Sequence, residues 1–375
     1  MIYFDNAATT WPKPASVVRA MDECMNEFAA NPGRSAHSHA IKSSEKVYEC
    51  REEIAEFFGI DNPGNVIFTS NATHSLNIVI NGVLNEGDHV ICTVMDHNSV
   101  LRTTFSKTKK IELSFSKANP DGSLNLTEFE SLIKTNTKLV VMTHVSNVCG
   151  TVMPAKEVAD ICKKRNILFL LDASQSAGIV PINITEMGID YLAAPGHKGL
   201  YGPMGTGILV INSKVIPKPL IFGGTGSYSK ELSQPFELPD RLESGTLNVP
   251  GICGLLEGVR FIKAVGIQQI SKHEKELTSW LLDGLEETKN ISVVGKKNTV
   301  GRTGVVSFVH SSMDCTAVSA YLDSEFAIAT RSMYHCAYPS HVALGTKDSG
   351  TVRVSFSLFN TIPQVKLLLY ALSKI

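Results

Sequence analysis

The sequence predicts an α/β protein: a large domain with a mostly parallel central sheet, then a smaller C-terminal α+β domain. Three observations predict it. Six short runs in the first 212 residues read as continuous apolar stretches rather than alternating ones. Strands covered on both faces of a parallel sheet have that signature. Amphipathic stretches separate the runs, and strand–helix alternation means helices layered on a sheet. After about residue 250 the texture changes to a long helical pattern followed by shorter strands.

The elements follow in order. Residues 40–58 place Val47, Cys50, Ile54, Phe57 and Phe58 on one helical face. The strand candidates are NVIFTS (65–70), DHVICTVM (88–95), KLVVMTHV (138–145), ILFLLDAS (167–174), DYLAAP (190–195) and GTGILVIN (205–212). Residues 154–165, PAKEVADICKKR, form an intervening helix. Residues 216–250 are Gly/Pro-punctuated and polar. A loop that long inside a compact domain is usually functional, the alternative being a disordered surface excursion. Beyond it, Ile270, Leu277, Leu281 and Leu285 recur at helical spacing, and ISVVG, GVVSFVH and TVRVSFS read as strands before a closing helix in IPQVKLLLYALSKI. The expected division is a large domain over 16–255 and a small one from 1–15 plus 256–375.

Composition narrows the function classes. The chain has 375 residues, a formal net charge of −1, and 19% charged against 43% hydrophobic residues. No Lys/Arg-rich run argues for a nucleic acid or an anionic membrane. No apolar run approaches the ~20 residues needed to span a bilayer. The opening MIYFDNAATTWP has neither a basic nor an apolar leader segment, so no signal peptide is expected. Eight cysteines are scattered with no CxxC pair. They suggest neither a disulfide framework nor a zinc ribbon, and fit a reducing, cytoplasmic compartment.

Four segments carry candidate chemistry. In LLDASQSAG (170–178), Asp172 ends an apolar strand. Ligands of open parallel sheets sit beyond the carboxyl ends of strands, where an acid can hold a cationic ring nitrogen. It can equally start a turn. In AAPGHKGLYGPMGTG (193–207), Lys198 lies among glycines just after a strand. Such a lysine loses its proton more easily and can form a Schiff base, though most lysines are solvated surface charges. In TSNATHSLN (69–77) a helix begins near Thr73, as a phosphate site or an ordinary cap. In VMDHNSV (94–100), His97 follows a strand and could stack on a flat ring, move a proton, or simply be exposed.

Hydroxyls, His97, Asn147, Asp172 and His197–Lys198 thus recur at strand ends in chain order. With YFDNAATT, NATHSLN, DHNS, SNVCGT, DASQSAG, GHKGLYGPMGTG, ESGTLNVPGI and VRVSFSLFNT, the chain resembles the class V aminotransferase-like branch of fold-type-I pyridoxal 5'-phosphate (PLP) enzymes. Cysteine desulfurases and selenocysteine lyases are the most similar members. The resemblance implies that Lys198 bonds the cofactor and later moves protons, and that Asp172 pairs with the ring nitrogen. It implies further that Gln175 bonds the phenolic oxygen, His97 stacks on the ring, and Ala72, Thr73 and His197 line the phosphate end. Thr246 corresponds to a phosphate contact made from a partner subunit, which implies a homodimer. Arg353 takes the substrate carboxylate, a task its planar fork suits. Asn147, Arg331 and Ala8 are implied beside it.

Arg331 to His341, RSMYHCAYPSH, holds Cys336. By the resemblance, Cys336 attacks the sulfur of PLP-bound cysteine, yielding alanine and an enzyme persulfide for a sulfur-acceptor protein. The implied substrates are L-cysteine or selenocysteine. From the residues alone, Cys336 could also be a small buried hydrophobe or, with His335 and His341, a metal ligand, although no finger spacing is present. His335 and Arg331 are candidate helpers of the thiolate. The chain departs from the family where Pro195 replaces a frequent serine, and where Met333 and Tyr334 replace glycine and histidine. Ser70, Ser75 or Thr225 are then candidates for the phosphate, and losing the glycine predicts an altered cysteine loop.

Overall fold

The computed structural model describes residues 1–33 and 35–375. Among the described residues, twelve strands form three sheets: β1 (Ile2–Tyr3), β2 (Val66–Thr69), β3 (His89–Thr93), β4 (Glu112–Ser116), β5 (Thr137–Thr143), β6 (Leu168–Asp172), β7 (Tyr191–Pro195), β8 (Gly207–Ile211), β9 (Ile291–Val294), β10 (Val305–His310), β11 (Ile328–Ala329) and β12 (Val352–Ser355). The helices are α1 (Ala15–Glu27), α2 (Ser38–Phe58), α3 (Ala72–Val83), α4 (Asn98–Phe105), α5 (Leu126–Ser131), α6 (Ala155–Lys164), α7 (Ile184–Met187), α8 (Val249–Val265), α9 (Ile267–Glu287), α10 (Cys315–Phe326), α11 (Tyr338–Ala343) and α12 (Ile362–Leu372).

The central sheet has the order β2-β8-β7-β6-β5-β3-β4. Only β8 runs against its neighbours among the described strands, so the sheet is mostly parallel as expected. All six apolar runs became its strands. Every residue of β7 and β8 is buried, which is why their side chains need not alternate. The edge strand β4 was not foreseen. Its sequence ELSFS is half exposed and carries no continuous apolar signal.

The face of α2 predicted from spacing buries Val47, Cys50, Ile54 and Phe58, while Phe57 packs at the margin. The helix stops at Gly59, whose φ of +74° is the left-handed cap that glycine adopts without a Cβ clash. On α9 the spaced residues Ile270, Leu277, Leu281 and Leu285 are buried, and Glu274 lies buried on the same face.

The smaller body is a three-stranded antiparallel sheet, β12-β10-β9, with α9, α10 and α12 around it. The N-terminal segment joins this body: β1 pairs with β11, and Phe4 enters its core with Val306, Phe308 and Val354. The expected limit at residue 255 falls inside α8, whose Ile252, Leu255, Val259 and Ile262 belong to the core beneath the central sheet. Gly150 lies at a close approach of the two bodies. A Cβ there would lie 2.4 Å from the Val305 carbonyl oxygen. Residues 213–248 contain no helix or strand.

Candidate active site

The carboxyl ends of β3, β5, β6 and β7 open onto a cavity of about 220 Å³ at the seam between the bodies. Ala8, Ala72, Thr73, His97, Asn147, Asp172, Gln175, His197, Lys198, Arg331, Cys336 and Arg353 all line it. His97, Asn147, Asp172 and Lys198 converge because parallel strands put their following loops on one edge, while Ala8 comes from the N-terminal segment and Arg331, Cys336 and Arg353 come from the smaller body.

Asp172 is the last residue of β6 and is buried. Its Oδ1 accepts from the Ser174 amide at 2.9 Å, so the local turn and the cavity wall share one carboxylate. Gln175 donates from Nε2 to the Ala7 carbonyl oxygen at 2.9 Å, tying the N-terminal segment to this wall. Lys198 follows β7. Burial lowers its ammonium to about 8, opposed by the nearby Asp172 carboxylate, so roughly a tenth is neutral amine at pH 7, far more than for an ordinary lysine.

His97 caps α4. Its Nδ1 accepts from the Ser99 amide at 3.1 Å and contacts the Ser99 hydroxyl at 2.9 Å. Burial, then the Lys198 charge, lower its pKa to about 4, so the ring is neutral with its proton on Nε2. Ser99 also bonds the Thr73 hydroxyl at 2.7 Å, joining the starts of α3 and α4. Sequence reasoning quoted Ser99 within its motif but gave it no role.

Arg353 is almost wholly buried on β12 rather than facing solvent. Burial lowers its pKa while Asp5 opposes that. Its Nη2 donates to Asp5 Oδ1 at 2.8 Å and its Nη1 to the Asn147 carbonyl oxygen at 3.0 Å. Its Nε is buried without a partner. Asp5 was missed by sequence reasoning, for its role appears only when residue 5 meets residue 353.

Cys336 is the exposed cysteine; the other seven are buried. The Arg331 Nη2 lies 3.6 Å from its sulfur. His335 is not a helper of that thiol. Its ring is buried, bonds the Thr351 hydroxyl at 2.8 Å, and burial holds it neutral with a pKa of about 2. Met333 keeps the left-handed backbone that glycine would supply, at φ +80°, and His335 and Cys336 follow at +48° and +59°. The substitution therefore leaves the turn's positive φ in place.

Thr246 lies outside this cavity, in a neighbouring pocket with Ser70, His74 and Asn248. Of the alternative phosphate candidates, Ser75 is turned inward onto the Ile208 carbonyl oxygen at 2.9 Å, and Thr225 lines a third pocket beside Arg51.

The aminotransferase class-V family model matches residues 2–368. A probable cysteine desulfurase of Pyrococcus abyssi is 36% identical, covering 100% of this chain and 94% of that one. One of Methanothermobacter thermautotrophicus is 34% identical, covering 98% and 92%. The chain belongs to the cysteine desulfurase family of class-V aminotransferases. An apo cysteine desulfurase structure from Thermococcus onnurineus superposes with a TM-score of 0.93 at 34% identity, over 100% of this chain and 94% of that one. Members of this family are PLP-dependent, and the chain is an enzyme of that kind. The residues present fit the cofactor: a lysine of lowered pKa, a strand-end carboxylate, the open amides of a helix start at Ala72 and Thr73, and a buried His197 Nδ1 without a partner.

Proposed function

We propose that the enzyme converts L-cysteine to L-alanine and takes the sulfur onto Cys336 as a persulfide. The carrying observation is the placement of the Cys336 thiol, with the Arg331 guanidinium 3.6 Å away, on the same cavity as Lys198 and Arg353.

Bound PLP supplies an electron sink for the substrate carbons. Lys198 holds it and moves the proton at the substrate carbons, its amine neutral enough to accept one. Asp172 would pair with the ring nitrogen, Gln175 with the phenolic oxygen, and neutral His97 would lie against the ring. The α3 amides at Ala72 and Thr73, with His197, hold the phosphate. Arg353 binds the substrate carboxylate through its unspent donors, with Asn147, Arg331 and Ala8 lining that end. The Arg331 guanidinium, 3.6 Å from the Cys336 sulfur, orients the nucleophile. That sulfur then attacks the substrate sulfur: an S–S bond forms, the C–S bond breaks, and the released electron pair is protonated to give alanine.

Thr246 belongs in this reading to the partner's phosphate site. It sits in a segment that exposes Ile221, Phe222, Leu232 and Phe236, apolar surface that a homodimer would cover. The two bodies divide at the α8–α9 corner, with the N-terminal segment counted in the smaller one. The unpaired thiols fit a cytoplasmic enzyme that passes its persulfide sulfur to an acceptor protein.

The test is an alanine assay on L-cysteine and L-selenocysteine. Cys336→Ala abolishes alanine from cysteine and spares part of that from selenocysteine, whose selenol leaves without a nucleophile's help. Full cysteine activity in that variant would remove Cys336 from the mechanism. The Arg331–Cys336 pair favours sulfur as the element handled.

A further inference from the structure

Residues 4–13 form a strap across the seam, and successive parts of it grip different walls of the cavity. At one end Phe4 is part of the smaller body's core, and the Asp5 carboxylate accepts from the Arg353 Nη2 at 2.8 Å. In the middle, the Ala7 amide donates to the Ser355 hydroxyl at 2.8 Å, and the Ala7 carbonyl oxygen takes the Gln175 Nε2 at 2.9 Å. At the other end three donors converge on one acceptor, the His197 carbonyl oxygen. The Lys13 Nζ donates to it at 2.7 Å, the Thr10 amide at 3.0 Å and the Thr9 hydroxyl at 3.2 Å. That carbonyl belongs to the peptide that joins His197 to Lys198. The turn is closed on its far side by the Tyr201 amide, which donates to the Lys198 carbonyl oxygen at 2.8 Å.

We propose that Lys13 is a positioning residue for the lysine that bonds the cofactor: its ammonium holds the His197 carbonyl and so fixes the turn from which Lys198 reaches into the cavity. A hydrogen bond from a charged donor is shorter and roughly twice as strong as a neutral one, and the Lys13 bond is the shortest of the three. The fold alone gives little reason for a cation there. Burial lowers the Lys13 ammonium to about 8, and among the described residues no acidic side chain pairs with it. Nor does Lys13 line the cavity, so its remaining donors do not open onto the space for cofactor and substrate. Because the same strap carries Asp5, the Lys198 turn and the Arg353 fork are referred to one stretch of chain. Replacing Lys13 leaves the His197 carbonyl with two donors, so no buried acceptor is orphaned and the fold should lose little. The inference rests on the reading above that Lys198 bonds the cofactor.

The experiment compares PLP-loaded wild type with Lys13→Met, which keeps the reach without a donor, and Lys13→Arg, which keeps charge and donors. Three properties are read: hydrogen exchange of the 193–207 peptide, circular dichroism in the cofactor's visible band, and kcat and KM for L-cysteine. In Lys13→Met the 193–207 peptide exchanges faster and the visible dichroism per bound cofactor falls, because the ring is held less firmly. kcat drops about tenfold while KM stays within about threefold. Melting shifts by no more than about 4 °C. Lys13→Arg returns exchange, dichroism and kcat towards wild type. Unchanged exchange and dichroism in Lys13→Met would overturn the proposal. So would faster exchange along the whole chain, which makes the role merely structural, or a rise in KM at constant kcat, which puts Lys13 on the substrate. If Lys13→Met does not fold, Lys13→Gln is read in the same way, and failure of both makes Lys13 a folding residue and refutes the proposal. Borohydride reduction with peptide mapping tests the reading beneath it. A label on a lysine other than Lys198, or no alanine from L-cysteine in wild type, sinks that reading, while exchange at 193–207 still decides whether Lys13 holds the turn.

Discussion

Arg353→Lys isolates the carboxylate fork, and its magnitude can be worked from the donors. A guanidinium has five N–H groups. One is committed to Asp5 and one to the Asn147 carbonyl oxygen, which leaves three, including the unpartnered Nε. That is enough for a two-point hold on a carboxylate. A lysine has three donors. With the same two partners satisfied, one donor remains. The variant keeps the positive charge beside Asp5 but loses one charge-assisted hydrogen bond to substrate, about 1.5–3 kcal/mol. This corresponds to roughly a tenfold to 150-fold weaker hold on L-cysteine. The assay is a titration of PLP absorbance with L-cysteine and with L-alanine, alongside KM. Both ligands should weaken together while the spectrum of the ligand-free enzyme is unchanged. A shift of less than about threefold for either ligand would refute the two-point hold.

The other predictions concern the cofactor, the loop and a buried acid. Purified enzyme should be yellow, and Lys198→Ala should lose that colour on dialysis; colour surviving dialysis would place the covalent link elsewhere. Met333→Gly removes a left-handed strain of about 1–2 kcal/mol at a cost of about 0.5–1 kcal/mol in unfolded-chain entropy. A net gain of ~0.5–1 kcal/mol in denaturant unfolding is expected, and a loss would show that the Met333 side chain holds the loop. Burial raises the Glu274 carboxyl to about 8, so the folded state holds its proton where the unfolded chain has released it. Its contribution to stability is present below the unfolded value near 4.5 and is lost as pH rises through about 8. Glu274→Gln should therefore flatten the fall of melting temperature between those pH values. An unaltered pH profile would contradict the burial.

What the sequence disclosed depended on whether a residue's role was local. Buried strands announce themselves because both faces need apolar side chains, which made the central sheet legible. The edge strand β4 and the two-residue pair β1–β11 lack that requirement and left no trace. Lys198, Asp172 and His97 were legible because a strand end followed by glycines or small polar residues is itself a local pattern. Asp5, Asn98 and Ser340 were not, since each acts on a backbone or charge that arrives from more than 230 residues away. His335 was misjudged for a related reason. Adjacency to Cys336 suggested a shared face, but left-handed backbone at both residues sends the imidazole inward to Thr351 while the thiol stays outside.

The seven buried cysteines have a consequence for sulfur traffic. Burial raises the Cys162 and Cys253 thiols to about 12 and pushes Cys50 and Cys92 upward too, so these are poor nucleophiles toward a persulfide. A sulfur atom accepted by Cys336 consequently finds these four thiols closed to it. It has one berth and one exit, into solvent or a docked acceptor. The folded protein should then count as a monothiol: one equivalent of a bulky alkylating agent per chain would both label it fully and close the only outlet.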